Sequence, residues 1–379
     1  MTGIDDVHVL AVGPADHGVV KHGLELAAAA GAPVLRFDDA AELDAALATD
    51  REGASPLPGA IHVAFTDALF GGPAEAPRRI RELARGRRLW LGLHDVPQEG
   101  EGAERLARRR ACYAAACDVG IPGDGGIEGT VVNSDHEKRC LAAAGVADDP
   151  VVIPLPVPDM RETDLHGVNQ RSADLREAPP CEAAPQGHRG TTAGIGRGAA
   201  VDAPGAAISG TDIPVIGVFG FLYPGKGVED VIDAAAALTV PVEVVNIGGV
   251  SDGHGHMVDD LAARARDAGV GFRVTGHIAD ADLPGALAAV DVPVTAHRHI
   301  SASGSLNSWL GAGRRPIAVA GDYVAETAAR WPGHLYVVDR GNLAGAIADA
   351  LADPASTWAD APAEWGWDDV AAAHREAWR

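Results

Sequence analysis

The stretch IPVIGVFGFLYPGKGVEDVIDAA (Ile213–Ala235) runs from an apolar segment into a glycine turn holding one lysine, Lys226, and on into an alanine-rich helix pattern. Working outward, VEVVNIGG (Val242–Gly249) and FRVTGHIADADLPGALAAVDVPVTAHRH (Phe272–His299) repeat the theme, and ISASGSLNSWLGAGRRPIAVA (Ile300–Ala320) closes it. Short β-like runs each lead into a polar or glycine turn and then a helix. That order predicts a parallel sheet whose carboxyl edge receives a phosphorylated ligand. The chain before Ile213 must then supply the other wall of a cleft.

The preceding chain has the same grammar. VHVLAVG (Val7–Gly13) reads as a strand, followed by a turn and a helix in which Gly18 sits at the start. Free N–H groups and the positive dipole end make such a position suited to a bound phosphate. Further strands are read at Pro33–Phe37, at Ala60–Phe65 leading to Thr66-Asp67, and at Arg88–Leu93 leading to His94-Asp95. In GTVVNSDHEKRCLAAAG (Gly129–Gly145), Ser134 is a helix N-cap and Glu137, three residues on, completes a capping box. A histidine at the carboxyl end of a central strand points into the crevice of an open α/β sheet. His94 is therefore the candidate catalytic residue, and a loop histidine tied by Asp95 is the competing reading.

At 379 residues with 47% hydrophobic content, the chain suits two α/β domains. The expected division is an N-terminal Rossmann-like domain over 1–158 and a linker or insertion over 159–212. A C-terminal Rossmann-like domain follows over 213–355, and 356–379 is a helix crossing back to the first domain. The linker is dense in Gly, Pro, Ser, Thr and charge and has no sustained apolar period, so its burial cannot offset its ordering entropy. The tail carries four of the seven tryptophans; packing on the first domain is the preferred explanation, a homodimer contact the competing one.

With 31 basic against 53 acidic residues, the formal charge of −22 argues against nucleic acid as partner. The densest basic stretch, Arg78–Trp90, reads as the outer face and end of a helix. Cys112, Cys117, Cys140 and Cys181 match no zinc spacing, and no metal is expected. Without an apolar run near 18 residues, the expected location is cytoplasmic, with the inner membrane surface as a peripheral alternative.

Four segments in order, VNSDHEKRCL before VVIPLPV, GVFGFLYPGKGVEDVIDA, FRVTGHIADADLPGALAAVDVPV and SGSLNSWLGAGRRPIAV, resemble the GT-B glycosyltransferases of the family 4 type, related to sucrose and glycogen synthases. The resemblance implies two Rossmann-like domains facing across a cleft. It implies transfer of a sugar from a nucleotide-sugar donor to a hydroxyl, with retention and without a metal or other cofactor. It places Gly18 and Lys226 on the donor diphosphate, His94 on the sugar, and His277 and Ile278 against the nucleobase. The family usually carries two glutamates eight positions apart; alignment on Pro316 puts Ser301 and Trp309 there. Relatives also carry an arginine where this chain has Phe221. Arg298 is the candidate to replace that charge, and Ser303, Gly304 and Ser305 offer further phosphate donors. Asp16, His17, Lys21 and Asp67 are the candidate acceptor residues, suited to a hydroxylated small molecule, glycan or lipid-linked acceptor. The two absent glutamates motivate an alternative, a non-catalytic nucleotide-binding scaffold on the same fold; a GT-B sugar-nucleotide epimerase is a third reading.

Overall fold

The computed structural model describes residues 6–54, 56–119, 125–146, 149–160 and 213–379. The expected linker, except its first two residues, and Cys181 lie outside them.

The first sheet is built from β1 (His8–Val12), β2 (Val34–Phe37), β3 (Ala60–Phe65), β4 (Arg88–Leu93), β5 (Gly126–Val132) and β6 (Val151–Val152). The order is β2-β1-β3-β4-β5-β6, and every pairing is parallel. The helices are α1 (Gly18–Ala30), α2 (Ala40–Arg51), α3 (Ala76–Leu83), α4 (Ala103–Cys117) and α5 (Asp135–Ala143). β3 is buried along its whole length and β4 at all but its first residue. Continuous apolar runs such as AIHVAF are what a strand covered on both faces requires.

The second sheet contains β7 (Val215–Phe219), β8 (Glu243–Ile247), β9 (Gly271–Val274), β10 (Val292–Thr295), β11 (Ile317–Val319) and β12 (Tyr336–Val338). Its order is β12-β11-β10-β7-β8-β9, again parallel throughout. Around it lie α6 (Val228–Ala236), α7 (His256–Asp267), α8 (Leu283–Ala288), α9 (Gly304–Gly311), α10 (Asp322–Arg330) and α11 (Leu343–Ala352), and α12 (Trp367–Ala377) follows. Strand order reverses between β1 and β3 in one sheet and between β7 and β10 in the other. Crevices for ligands form at the carboxyl ends beside such reversals.

Two covalent paths join the sheets. Residues after β6 run along α9, where the Asn307 amide donates to the carbonyls of Leu155 and Pro156 at 2.9 and 3.1 Å. The tail returns, and α12 packs against α1. There Val370 and Trp378 join Val9, Leu26 and Trp90 in one apolar cluster. The Trp365 indole donates to Pro154 O at 2.9 Å, and Val157 N donates to Trp365 O at 2.8 Å.

The basic stretch Arg78–Trp90 differs from a solvated face. Arg79 and Arg87 are buried; Arg78 and Arg79 close on Asp44, and Arg87 on Asp50. Among the described residues, no helix is long and apolar enough to cross a membrane.

Candidate active site

Lys226 lies in the turn between β7 and α6. Its side chain is shut from solvent with the residue only 3% exposed, and its ammonium donates to Ser305 Oγ at 3.2 Å. Among the described residues no carboxylate lies within 4 Å of it. Burial therefore lowers its pKa to about 7. The glycines of the turn explain how the lysine gets there. Gly220 has φ +109°, and a Cβ on it would stand 2.8 Å from Lys226 Nζ. Gly227 has φ +84°, and a Cβ there would collide with the Ala296 carbonyl.

Ser303 caps α9, accepting from Leu306 N at 3.1 Å, and its hydroxyl lies 3.0 Å from that of Ser305. The ammonium, the two hydroxyls and the free amides opening α9 thus share one corner at the carboxyl edge of β7 and β10. His297 follows β10 and is buried beside Lys226, its Nδ1 without a hydrogen-bond partner among the described residues. Burial, and then the Lys226 and Arg340 charges, hold it well below the usual imidazole range. The sequence reading passed over His297, although it occupies the same strand-end position that singled out His94.

His94 occupies the corresponding edge of the first sheet. Its N–H donates to Phe65 O at 2.9 Å, and Tyr113 Oη donates to its carbonyl at 2.6 Å. Asp95 beyond it takes φ +51°, the left-handed region that non-glycine residues seldom enter. The imidazole packs edge-on to His22 at 4.8 Å between centroids, and its Nδ1 is 3.3 Å from Asn133 Nδ2. Burial, then the neighbouring histidines, lower its pKa to about 4, so it is a neutral hydrogen-bonding group at pH 7.

The two edges meet through α5. Ser134 Oγ donates to Ser301 O at 2.7 Å, and Ser301 Oγ donates to Glu137 Oε1 at 2.9 Å. Asp135 N and His136 N donate to the Glu326 carboxylate at 3.0 and 3.1 Å. Glu137 is fully buried.

The other candidates separate. Gly18 opens α1, where His17 Nδ1 accepts from Val19 N at 3.2 Å. Asp16 is exposed, while Lys21 reaches across to Asp280 at 3.1 Å. Asp67 is buried and held by Arg109 at 3.0 Å, so its carboxylate is already engaged. A cavity of about 540 Å³ opens beside it, lined by Gly72, Pro73, Asp95, Arg105 and Arg108. Arg298 pairs with Asp230 at 2.8 Å at the start of α6. His277 is exposed in the turn after β9, and Ile278 packs against the cluster around Trp309. Trp309 is fully buried, edge-on to Phe219, with Val215, Val245 and Ile247 around it. The position at which the sequence resemblance expects a carboxylate is thus a core residue. Among the described residues, no group of three or more His, Cys, Asp or Glu side chains is arranged to hold a metal ion.

No family model and no curated protein sequence matches the chain. Solved structures do match its fold. HepE of Anabaena in complex with UDP-glucose superposes with a TM-score of 0.66 at 15% identity, covering 98% of this chain and 94% of that one. Sucrose-phosphate synthase from Thermosynechococcus elongatus gives 0.64 at 16% identity over 98% and 93%. A glycosyltransferase from Rickettsia africae gives 0.58 at 10% identity over 98% and 92%. The fold is GT-B, two parallel α/β domains facing across a cleft.

Proposed function

We propose that the chain is a glycosyltransferase that moves a sugar from a nucleoside-diphosphate sugar to an acceptor hydroxyl. The observation that carries this reading is Lys226, a buried ammonium with no carboxylate partner among the described residues, set beside the hydroxyls of Ser303 and Ser305. A buried cation of this kind calls for an anion, and a diphosphate supplies one. In the reaction the bond from the anomeric carbon to the diphosphate oxygen breaks, and its electron pair leaves with the nucleoside diphosphate. The acceptor oxygen bonds to the anomeric carbon, and its proton passes to the departing phosphate. Lys226 and the amides of Gly304 and Ser305 stabilise the charge that grows on the leaving group. His94, being neutral, hydrogen-bonds the sugar.

This route needs no protein nucleophile and fits retention without a metal ion. Uracil is the first base to test, since HepE has been solved with UDP and with UDP-glucose. His277 and Ile278 are placed against the base in this reading. The acceptor, a hydroxylated small molecule, glycan or lipid-linked molecule, is assigned to the first-domain side near Asp16 and His17.

The test is a panel of UDP, GDP, ADP and their sugars. A ligand at 100 times its Kd adds about 2.7 kcal/mol of stability, which melting curves resolve. Turnover with acceptors supplied should fall about a hundredfold or more in His94→Ala while nucleotide binding persists. Absence of both binding and turnover across the panel refutes the proposal. A second reading, nucleotide binding without turnover, is favoured by the buried Trp309 at a carboxylate position; binding without transfer or hydrolysis would select it.

A further inference from the structure

The sequence pattern reads Glu137 as half of a capping box, which would return its carboxylate to the Ser134 N–H. The structure moves it one residue further. Glu137 Oε2 accepts from the Asn133 backbone N–H at 2.7 Å and from Asn133 Nδ2 at 3.2 Å. Its other oxygen accepts from Ser301 Oγ at 2.9 Å. Ser301 aligns with a position at which the resembled family carries a carboxylate. Here the carboxylate arrives from the opposite domain.

The same contacts settle a question of protons. Oε2 already accepts from the Asn133 backbone N–H, which marks it as the acceptor oxygen whether or not Glu137 is ionised, so the Asn133 side-chain group facing it is the NH2 donor. That NH2 also faces His94 Nδ1 at 3.3 Å, so Nδ1 is the acceptor of that contact. With His94 neutral, its proton then resides on Nε2. A terminal carboxylate, an amide and an imidazole form one chain that reaches from Ser301 to the candidate catalytic histidine.

We propose that Glu137 is a positioning residue of this cleft: anchored to Ser301 across the domain boundary, it orients Asn133 and thereby holds His94 as the Nε2–H tautomer. Its catalytic meaning rests on the glycosyltransferase reading, but the tautomer itself does not. The titratable groups around Glu137 are Asp95, Cys140 and Tyr323, with His94 beyond Asn133 and Glu326 on the Asp135 and His136 amides. Burial raises Glu137 itself to about 7. Its acceptor role does not require ionisation, because a protonated carboxyl keeps one carbonyl oxygen.

The experiment is nitrogen-15 NMR of the histidine rings in the full chain at pH 7.5, with resonances assigned by single substitutions. His94 should give the shifts of a single Nε2–H tautomer. Glu137→Met removes the acceptor and should convert His94 to a mixture of both tautomers. Glu137→Gln, which keeps a carbonyl oxygen, should restore the native pattern. Asn133→Ala should release the tautomer in the same way and reports the result if Glu137→Met does not fold. Glu104→Gln, exposed and remote, should change nothing. Where turnover is measurable, kcat should fall on the order of tenfold in Glu137→Met with the donor KM little changed, and recover in Glu137→Gln. A native His94 protonated on Nδ1 would overturn the proposal, as would an unaltered Nε2–H tautomer in a folded Glu137→Met or Asn133→Ala variant. Loss of nucleotide binding and turnover in the native chain would sink the glycosyltransferase reading alone.

Discussion

Lys226 holds a proton in the unfolded chain up to its ordinary pKa of 10.5, and in the folded chain only to about 7. Between those values Lys226 binds more protons in the unfolded state, so its contribution to the unfolding free energy of the ligand-free chain should rise with pH above 7 and level off below it. The window to measure is pH 7 to about 8.5, below the ordinary range of the thiols Cys112 and Cys140, whose raised pKa values act in the opposite sense. Lys226→Met should flatten that slope and stabilise the free protein by roughly 2–4 kcal/mol at pH 7, measured by urea unfolding, while abolishing nucleotide binding. A diphosphate restores the charge, so binding near pH 8 should take up a proton, which calorimetry in buffers of different ionisation enthalpy detects. Lys226 and His94 were legible because strand ends and glycine turns are local features of sequence. Glu137 was visible only as a cap. Its bond to Ser301 spans 164 residues, and such pairing follows from how two sheets face each other. The same holds for Asp67 and Arg298, whose charges look free in sequence and are engaged by Arg109 and Asp230 in space.

The elements that carry the site are short turns between buried strands and helix starts. In the turn after β7, Gly227 needs both its left-handed backbone and the space against Ala296. Gly227→Ala should cost roughly 2–5 kcal/mol, from backbone strain together with overpacking. The denaturation midpoint should drop accordingly, and nucleotide affinity should fall with it because Lys226 is displaced. Helix and strand order was readable because apolar runs in LWLGL or VIGVF fit doubly covered strands and alanine-rich runs fit helices. The role of Trp309 was not. A tryptophan on a helix that follows a serine and glycine turn gives no sign of which side it faces, and only packing with Phe219 and Ile247 shows that it fills the core.

Across the whole molecule, α12 completes the first domain from the far end of the chain. Trp378 is 3% exposed and its indole N–H donates to His62 Nδ1 at 3.2 Å. Trp378→Ala should therefore cost about 3–5 kcal/mol, seen as a lower melting temperature, although the residue lies next to the C-terminus. The concentration of tryptophans in the tail pointed to packing, but not to the buried histidines His62 and His374 against which Trp378 rests.

The two strands of chain that cross between the domains run side by side and are bonded to each other, Trp365 to Pro154 and Val157 to Trp365. Straps bonded to each other in this way should favour rotation about a line through their bonds over sliding, as the knuckles of a door hinge do. A swing about that line would have to part the contacts of α5 with the second domain together, Ser134 and Glu137 with Ser301 and the Asp135 and His136 amides with Glu326.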